Sequence, residues 1–474
     1  MTRPFRSAAS VLLLLALSAC GPEEPAAEPA DLVITDVTVV DAENGARAGQ
    51  TVVVDDGRIT SVAPSGDGAV EAVEVVDGSG RYLIPGLWDF HVHLSYDERF
   101  TDAMPALFLR HGITSIRDTG GWVENVRPVV ERMEAEGATA PRVFWAGPLL
   151  DGEFVVYDGE NRPPLGIANP DPETARENVA RLAEAGVDFL KVYEMVTPEV
   201  FDAIVSAAEE RGLPVDGHVP LSMTADEAGP RMTSMEHLRN VELACAAGSD
   251  ELLAARRSIL ANTDGMPGAD LRSRLHGEQR LPAVAAYDEA RCDEVLAALE
   301  NTIQVPTLRL NALGIQAPWQ RDDWEEALAR LPAEAEEAWR AETMGEGGAP
   351  ARDTTFGAWS LFLVEEMHQA GVPLGAGTDT PIGYALPGYS LHSELAMLVR
   401  AGLTPREALR AATVRPAEFF GLQAEMGTVE TGMLADLVLL SANPLEDIEA
   451  TRGVEAVVTR GELLTLEELD ALLP

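Results

Sequence analysis

Lysine is almost missing from this chain: among 35 lysine and arginine side chains in 474 residues, Lys191 is the one lysine. Basic charge as a whole is scarce, because 78 Asp and Glu leave a formal net charge of −43. That balance excludes a nucleic-acid surface and a basic lipid-binding patch, both of which need clustered Lys or Arg. It describes a solvated, self-repelling surface. Acidic residues spread throughout, with arginine replacing lysine, fit a salty habitat or a GC-rich genome and identify no substrate. Cysteine is scarce too, with Cys20, Cys245 and Cys292 and no zinc-knuckle spacing among them. Ser390 lies near His392 without a nucleophile-elbow motif, so nothing indicates a serine hydrolase.

The N-terminus carries a basic start, Arg3 and Arg6, then an apolar run over 11–17 that is too short to span a membrane. With Leu17-Ser18-Ala19-Cys20 it reads as a signal peptide over 1–20 that resembles a bacterial lipobox. Lipidation at Cys20 then tethers an exported protein, periplasmic or at the outer cell surface, to a membrane leaflet; a plain cut near Ala19 is the alternative. Residues 21–30, rich in Pro, Glu and Ala, read as a flexible spacer. In an oxidising compartment Cys245 and Cys292 either pair or remain buried thiols.

Residues 31–85 alternate short strands with turns such as Asp55-Asp56-Gly57-Arg58, and 421–474 repeats the pattern. The two ends are expected to fold together as one small β-sandwich. Between them, 86–420 alternates apolar strands with helices, the mark of a parallel α/β domain. Strands are predicted at 87–94, 113–118, 142–146, 188–193, 214–219, 233–238, 303–310 and 372–379. Eight such units give a (β/α)8 TIM barrel, with its chemistry at the C-terminal strand ends. Charged, alanine-rich insertions over about 250–300 and 318–356 either cap that mouth or decorate the surface.

Lys191 sits in the apolar run Asp188-Phe189-Leu190-Lys191-Val192-Tyr193. A desolvated lysine can become a free amine, fit for a Schiff base, for general-base work, or for capturing carbon dioxide as a carbamate. Its neighbours narrow the choice. His91 and His93 end the first predicted strand two residues apart, so both imidazoles point to one side. His218, His237 and Asp379 end the fifth, sixth and eighth. Ligand-type residues at so many strand ends read as a metal centre.

These motifs, spread over 34–446, resemble the amidohydrolase superfamily, in the branch of imidazolonepropionase-like enzymes and metal-dependent dipeptidases of prolidase type. Gly402-Leu403-Thr404-Pro405, Ala411-Ala412-Thr413 and Ala435-Asp436-Leu437-Val438 add to the likeness. The resemblance implies that His91, His93 and Asp379 bind one divalent metal and that His218 and His237 bind a second. It also implies that Lys191 bridges them as a carbamate. An anion there offsets charge that neutral imidazoles and one carboxylate leave uncompensated. Zinc is the default metal, with manganese or cobalt as alternatives. A bridging water whose pKa falls from about 15.7 toward about 7 would be the nucleophile, with Asp379 accepting its proton. The implied substrate is small, with an amide or other C–N bond, as in a dipeptide or an N-acyl amino acid. Imidazolonepropionase itself fits less well, because Lys191 points to two metals. The alternatives are a lactone, ester or phosphoester hydrolase on the same scaffold, and a non-catalytic metal-binding lipoprotein.

Further residues are candidates for touching substrate. Tyr193 shares the strand face of Lys191 and otherwise packs in the barrel. His392 follows the last strand's loop and otherwise starts a helix. Arg117 would hold a substrate carboxylate or else form an internal ion pair. His111 is expected to be structural, and His276 and His368 to face solvent. The sequence leaves the oligomeric state open.

Overall fold

The computed structural model describes residues 29–66, 70–160, 162–344 and 354–473. The signal segment with Cys20, and all of the spacer before Pro29, lie outside these residues. Among the described residues no helix is long and apolar enough to cross a membrane.

The two chain ends share one sheet. Its order is Glu462–Thr465, Val454–Thr459, Leu437–Leu440, Tyr82–Pro85, Ala30–Asp41, Gly45–Asp55 and Arg58–Pro64. The junction of the two ends is antiparallel, with Val438 opposite Ile84 and Leu439 opposite Leu83. Where the sequence predicts a sandwich, the strands are hydrogen-bonded as a single sheet. The long strand Ala30–Asp41 makes this possible by changing partner: its first half pairs in parallel with Ala72–Asp77, its second with Tyr82–Pro85. Between them Asp36 takes φ 53°, a left-handed kink. Alternation then divides the faces. Leu437, Leu439, Ala456 and Val458 join Ile34, Val39, Val52 and Leu83 in a core of their own. Val438, Leu440 and Val457 point the other way, into the large core shared with the helices.

The middle of the chain holds two parallel sheets. Leu87–Val92, Ile113–Asp118 and Arg142–Trp145 form one. The other runs Gly166–Ala168, Leu149–Asp151, Leu190–Val192, Val215–Gly217, Ser234–Glu236 and Ile303–Val305. The Asp188 amide donates to Trp145 O at 2.9 Å, bringing the two sheets side by side. Strands are shorter than the sequence suggests because the ladder stops where the site begins. His218 lies just beyond Gly217, and His237 follows Glu236 with φ 58°.

Two segments depart further from expectation. Of 303–310 only Ile303–Val305 is strand; Thr307 turns into the helix Leu308–Asn311. Residues 372–379 form no named strand, since Pro373 lacks an N–H and the segment is rich in glycine. They nonetheless bond to both neighbours. Gln304 N donates to Pro373 O at 2.8 Å, Phe90 N to Ala376 O at 3.0 Å and Asp379 N to His91 O at 2.8 Å. Gly377 is required here, because a Cβ would meet the His91 backbone nitrogen at 2.8 Å.

The first insertion contains helices Ser249–Leu260, Gly268–Ala285 and Glu289–Ala298. The last is stapled to the main body by a disulfide between Cys245 and Cys292, which settles the choice left open by the sequence. Replacing both cysteines by serine is expected to cost about 2–4 kcal/mol, read as a lower urea midpoint with a slope that rises as the unfolded chain expands.

Candidate metal centre

At the C-terminal ends of the parallel strands, one cavity is lined by His91, His93, Lys191, His218, His237 and Asp379. They come from five separate segments of chain. Tyr193 lines it too, its ring 4.5 Å from that of His218.

Each histidine is tied back through Nδ1. That of His91 meets Glu236 Oε2 at 2.5 Å, His93 meets Gly120 O at 3.1 Å, His218 meets Glu194 Oε1 at 2.6 Å and His237 meets Thr307 Oγ1 at 2.6 Å. Thr307 gives its own hydroxyl proton to Pro306 O at 2.8 Å, so it accepts from His237. With Nδ1 held as the donor, the Nε2 lone pair of each ring is left as the ligand atom. Asp379 is where three of these atoms meet. Its Oδ1 is 3.2 Å from His91 Nε2 and 3.3 Å from His93 Nε2, and its Oδ2 is 3.9 Å from His237 Nε2. His91, His93 and Asp379 can each place a ligand atom within 4.8 Å of the others. These nitrogen and oxygen donors suit a divalent metal, so the donor set fits one.

Burial works against the charge on Asp379, but His237 and His91 overcome it and hold the carboxyl well below its usual range. Burial also drives His237 well below its ordinary value and lowers His218 to about 3, the latter despite Glu194. Both rings are therefore neutral. His91 goes the other way: burial opposes its charge, yet Glu236 on one side and Asp379 on the other lift it to about 9.

Lys191 is buried, and its Nζ donates to Asp216 Oδ2 at 2.8 Å, with Glu236 Oε1 at 3.9 Å. Asp216 also accepts from Ser234 Oγ at 2.7 Å.

Two predicted contacts with substrate are corrected. Arg117 lies wholly buried beneath the cavity. Its guanidinium sits 3.6 Å from the centroid of Phe90, donates to Phe90 O at 2.7 Å and Ser234 Oγ at 2.9 Å, and is ion-paired with Glu236. It holds the carboxylate that holds His91. His392 does not reach the cavity either: on the helix Tyr389–Arg400 its Nδ1 meets Thr451 Oγ1 at 2.9 Å and its Nε2 meets His111 O at 3.1 Å. His276, expected in solvent, instead approaches Glu194 Oε2 at 2.7 Å from the helix Gly268–Ala285.

That helix also supplies a residue the sequence did not reveal. Arg272 lines the cavity and binds Glu194 Oε1 through Nε at 3.0 Å and Nη2 at 2.9 Å. The insertion is thus part of the site, as no local spacing announces. Arg239 is a second such residue. Glu236 had a readable signal, being an acid beside the ligand-type residue His237 at a strand end, whereas Glu194 stands three residues past Lys191. Burial opposes the charge of Glu194, but Arg272, His276 and His218 hold it well below the carboxylate range. Glu194→Gln should weaken metal binding by about 10- to 100-fold, measured by competition with a chromophoric chelator.

Residues 82–261 and 360–464 match the amidohydrolase family. The chain belongs to the amidohydrolase family. The family match leaves out 262–359, which holds much of the helical insertions, and takes in every residue of the cluster. Imidazolonepropionase of Symbiobacterium thermophilum is 26% identical over 432 residues, spanning 87% of this chain and 89% of that protein. Among solved structures, a Xaa-Pro dipeptidase with bound methionine aligns with TM-score 0.65 at 18% identity, over 92% of this chain and 99% of its own. Bottromycin amidohydrolase aligns with TM-score 0.66 at 24% identity, over 93% of this chain and 88% of its own. The amidohydrolase family is metal-dependent and acts on carbon–nitrogen bonds, and His91, His93 and Asp379 form a candidate metal site within it.

Proposed function

We propose that this protein is a binuclear metal-dependent hydrolase that cleaves the amide bond of a dipeptide or an N-acyl amino acid. The observation that carries the reading is the single cavity in which four Nδ1-anchored imidazoles, Asp379 and Lys191 converge. His91, His93 and Asp379 would hold one cation, His218 and His237 the other. Lys191, as a carbamate formed when its free amine adds to carbon dioxide and releases a proton, would lie between them. When bound, two divalent cations, zinc by default, supply an activated water at neutral pH and polarise a carbonyl oxygen. Asp379 takes up a proton from the attacking water and returns it to the departing amine. Arg117 and Glu236 keep His91 oriented, and Glu194 does the same for His218. Tyr193 faces the substrate.

The scaffold of this reading is a (β/α)8 barrel over 86–420 with a small β domain from 31–85 and 421–474. Hydrogen bonds from 372–380 to both neighbouring segments support closure of the barrel. Export and tethering through a lipid on Cys20 rest on residues 1–20 alone, ahead of the spacer 21–30. Cys20→Ala should move the protein from the membrane fraction to the soluble one.

The kinship with a Xaa-Pro dipeptidase and an amidohydrolase in structure supports amides over other bonds. The test is a panel of dipeptides, N-acyl amino acids, esters, lactones and phosphoesters given to metal-loaded enzyme. Amide turnover should dominate. Preferred ester, lactone or phosphoester hydrolysis would transfer the protein to the other reading of the same scaffold, and no turnover on any would leave a metal-binding lipoprotein.

A further inference from the structure

Three arginines gather at the substrate cavity of this acidic protein. Arg239 and Arg272 line it, and Arg280 lies near enough to act on Arg239 electrostatically. Two of them carry their own carboxylate. Arg272 is bound by Glu194 at 2.9 Å; Arg280 is bound by Glu242 at 2.7 Å and lies 3.6 Å over the ring of Phe356. Arg239 has none. Its Nε is buried without a hydrogen-bond acceptor, and among the described residues no carboxylate is within ion-pair distance of it. Glu194, the acid nearest in its field, is already engaged by His218, Arg272 and His276.

The backbone that carries this guanidinium is also held in place. Arg239 follows His237 and Leu238, both left-handed at φ 58° and 56°, and its amide donates to Glu236 O at 3.1 Å. Asn240 pins the end of the turn, donating to Val219 O at 2.8 Å and accepting from Arg256 at 3.0 Å. A cavity-lining guanidinium whose Nε lacks an acceptor is a receptor for one carboxylate. Elsewhere the cavity is lined by Leu149, Leu165, Leu310 and Ile382 together with Tyr157 and Tyr193, and its only lining acid among the described residues is Asp379. Among the described residues no lining carboxylate other than Asp379 would pair with a free ammonium group.

We propose that Arg239 binds the free carboxylate of the substrate and that the opposite wall takes an apolar acyl group, which makes N-acyl amino acids the preferred class over dipeptides with a free amine. The proposal rests on the amide-hydrolase reading above and sharpens it.

The test compares N-octanoyl-L-alanine, its C-terminal amide and leucyl-alanine on metal-loaded wild-type protein and on Arg239→Met, by calorimetric binding and by hydrolysis. On wild type the free acid should bind on the order of 100-fold more tightly than the amide, and it should exceed leucyl-alanine in kcat/KM. Arg239→Met should erase the preference for the acid at unchanged metal content, and Arg239→Lys should retain part of it. Equal binding of acid and amide by wild type would overturn the proposal, and this comparison decides the matter even if the variant does not fold. An acid preference that survives in Arg239→Met, or a better rate with leucyl-alanine, would overturn it as well. An Arg239-dependent acid preference without any hydrolysis would instead uphold the carboxylate subsite and refute the hydrolase reading. Equal turnover of acid and amide would do the reverse.

Discussion

Asparagine at position 379 is expected to lower kcat by roughly 10⁴-fold, the upper range for loss of a positioned general base. The side chain keeps its shape, so the change removes charge and basicity alone. Asp379 is the group on which His91, His93 and His237 converge, at 3.2, 3.3 and 3.9 Å. Its backbone is fixed as well, with φ 62° and an amide bonded to His91 O at 2.8 Å, so the variant should fold around the same geometry. Those histidines hold the carboxylate ionised against the effect of burial, so the native group is unprotonated at neutral pH. Steady-state kinetics of Asp379→Asn, with its metal content measured in parallel, checks the role. A loss of less than 10-fold at full metal occupancy would remove Asp379 from proton transfer.

Lys191 offers the second large effect, and two substitutions separate its two candidate roles. In the structure its amine pairs with the buried Asp216. Were that pairing its purpose, Lys191→Arg, which retains the positive charge, would preserve activity while Lys191→Ala lost it. A carbamate requires a primary amine, which arginine does not provide. Both variants should therefore lose roughly 10³-fold or more in kcat/KM, since the bridging anion supports cations that contribute several kcal/mol to the barrier. The fold should survive. Asp216 retains the Ser234 hydroxyl as a donor at 2.7 Å and the Arg117 guanidinium as an ion-pair partner at 3.8 Å.

Strand ends made the cluster legible in the sequence. His91 and His93 alternate onto one face, His218, His237 and Asp379 stand at the ends of predicted strands and Lys191 lies within another, so a barrel hypothesis is enough to bring them to one rim. The rarity of lysine singles out position 191 in the sequence alone. Direction within a layer was not legible. Arg117 lies on the strand that carries Asp118, yet it turns beneath the rim toward Phe90 and Glu236, where a ring face and a buried carboxylate outweigh solvent. His392 was drawn toward the site by its place in the chain, but the packing of its helix faces it to Thr451. Arg272 and His276 were hidden for a different reason. They reach Glu194 from a helix more than 70 residues away in sequence, and only the folded insertion makes them neighbours. The segment 372–379 lost its strand character because glycine was needed where it touches His91, a close approach that alternation does not encode.

The most direct test of the account is metal stoichiometry, measured by elemental analysis on wild-type protein and Lys191→Ala, with and without short carboxylic acids. The account predicts two divalent ions per wild-type chain, fewer than two in the variant, and partial return of both metal and activity when formate or acetate is added. Two ions and full activity in Lys191→Ala without any added acid would contradict it.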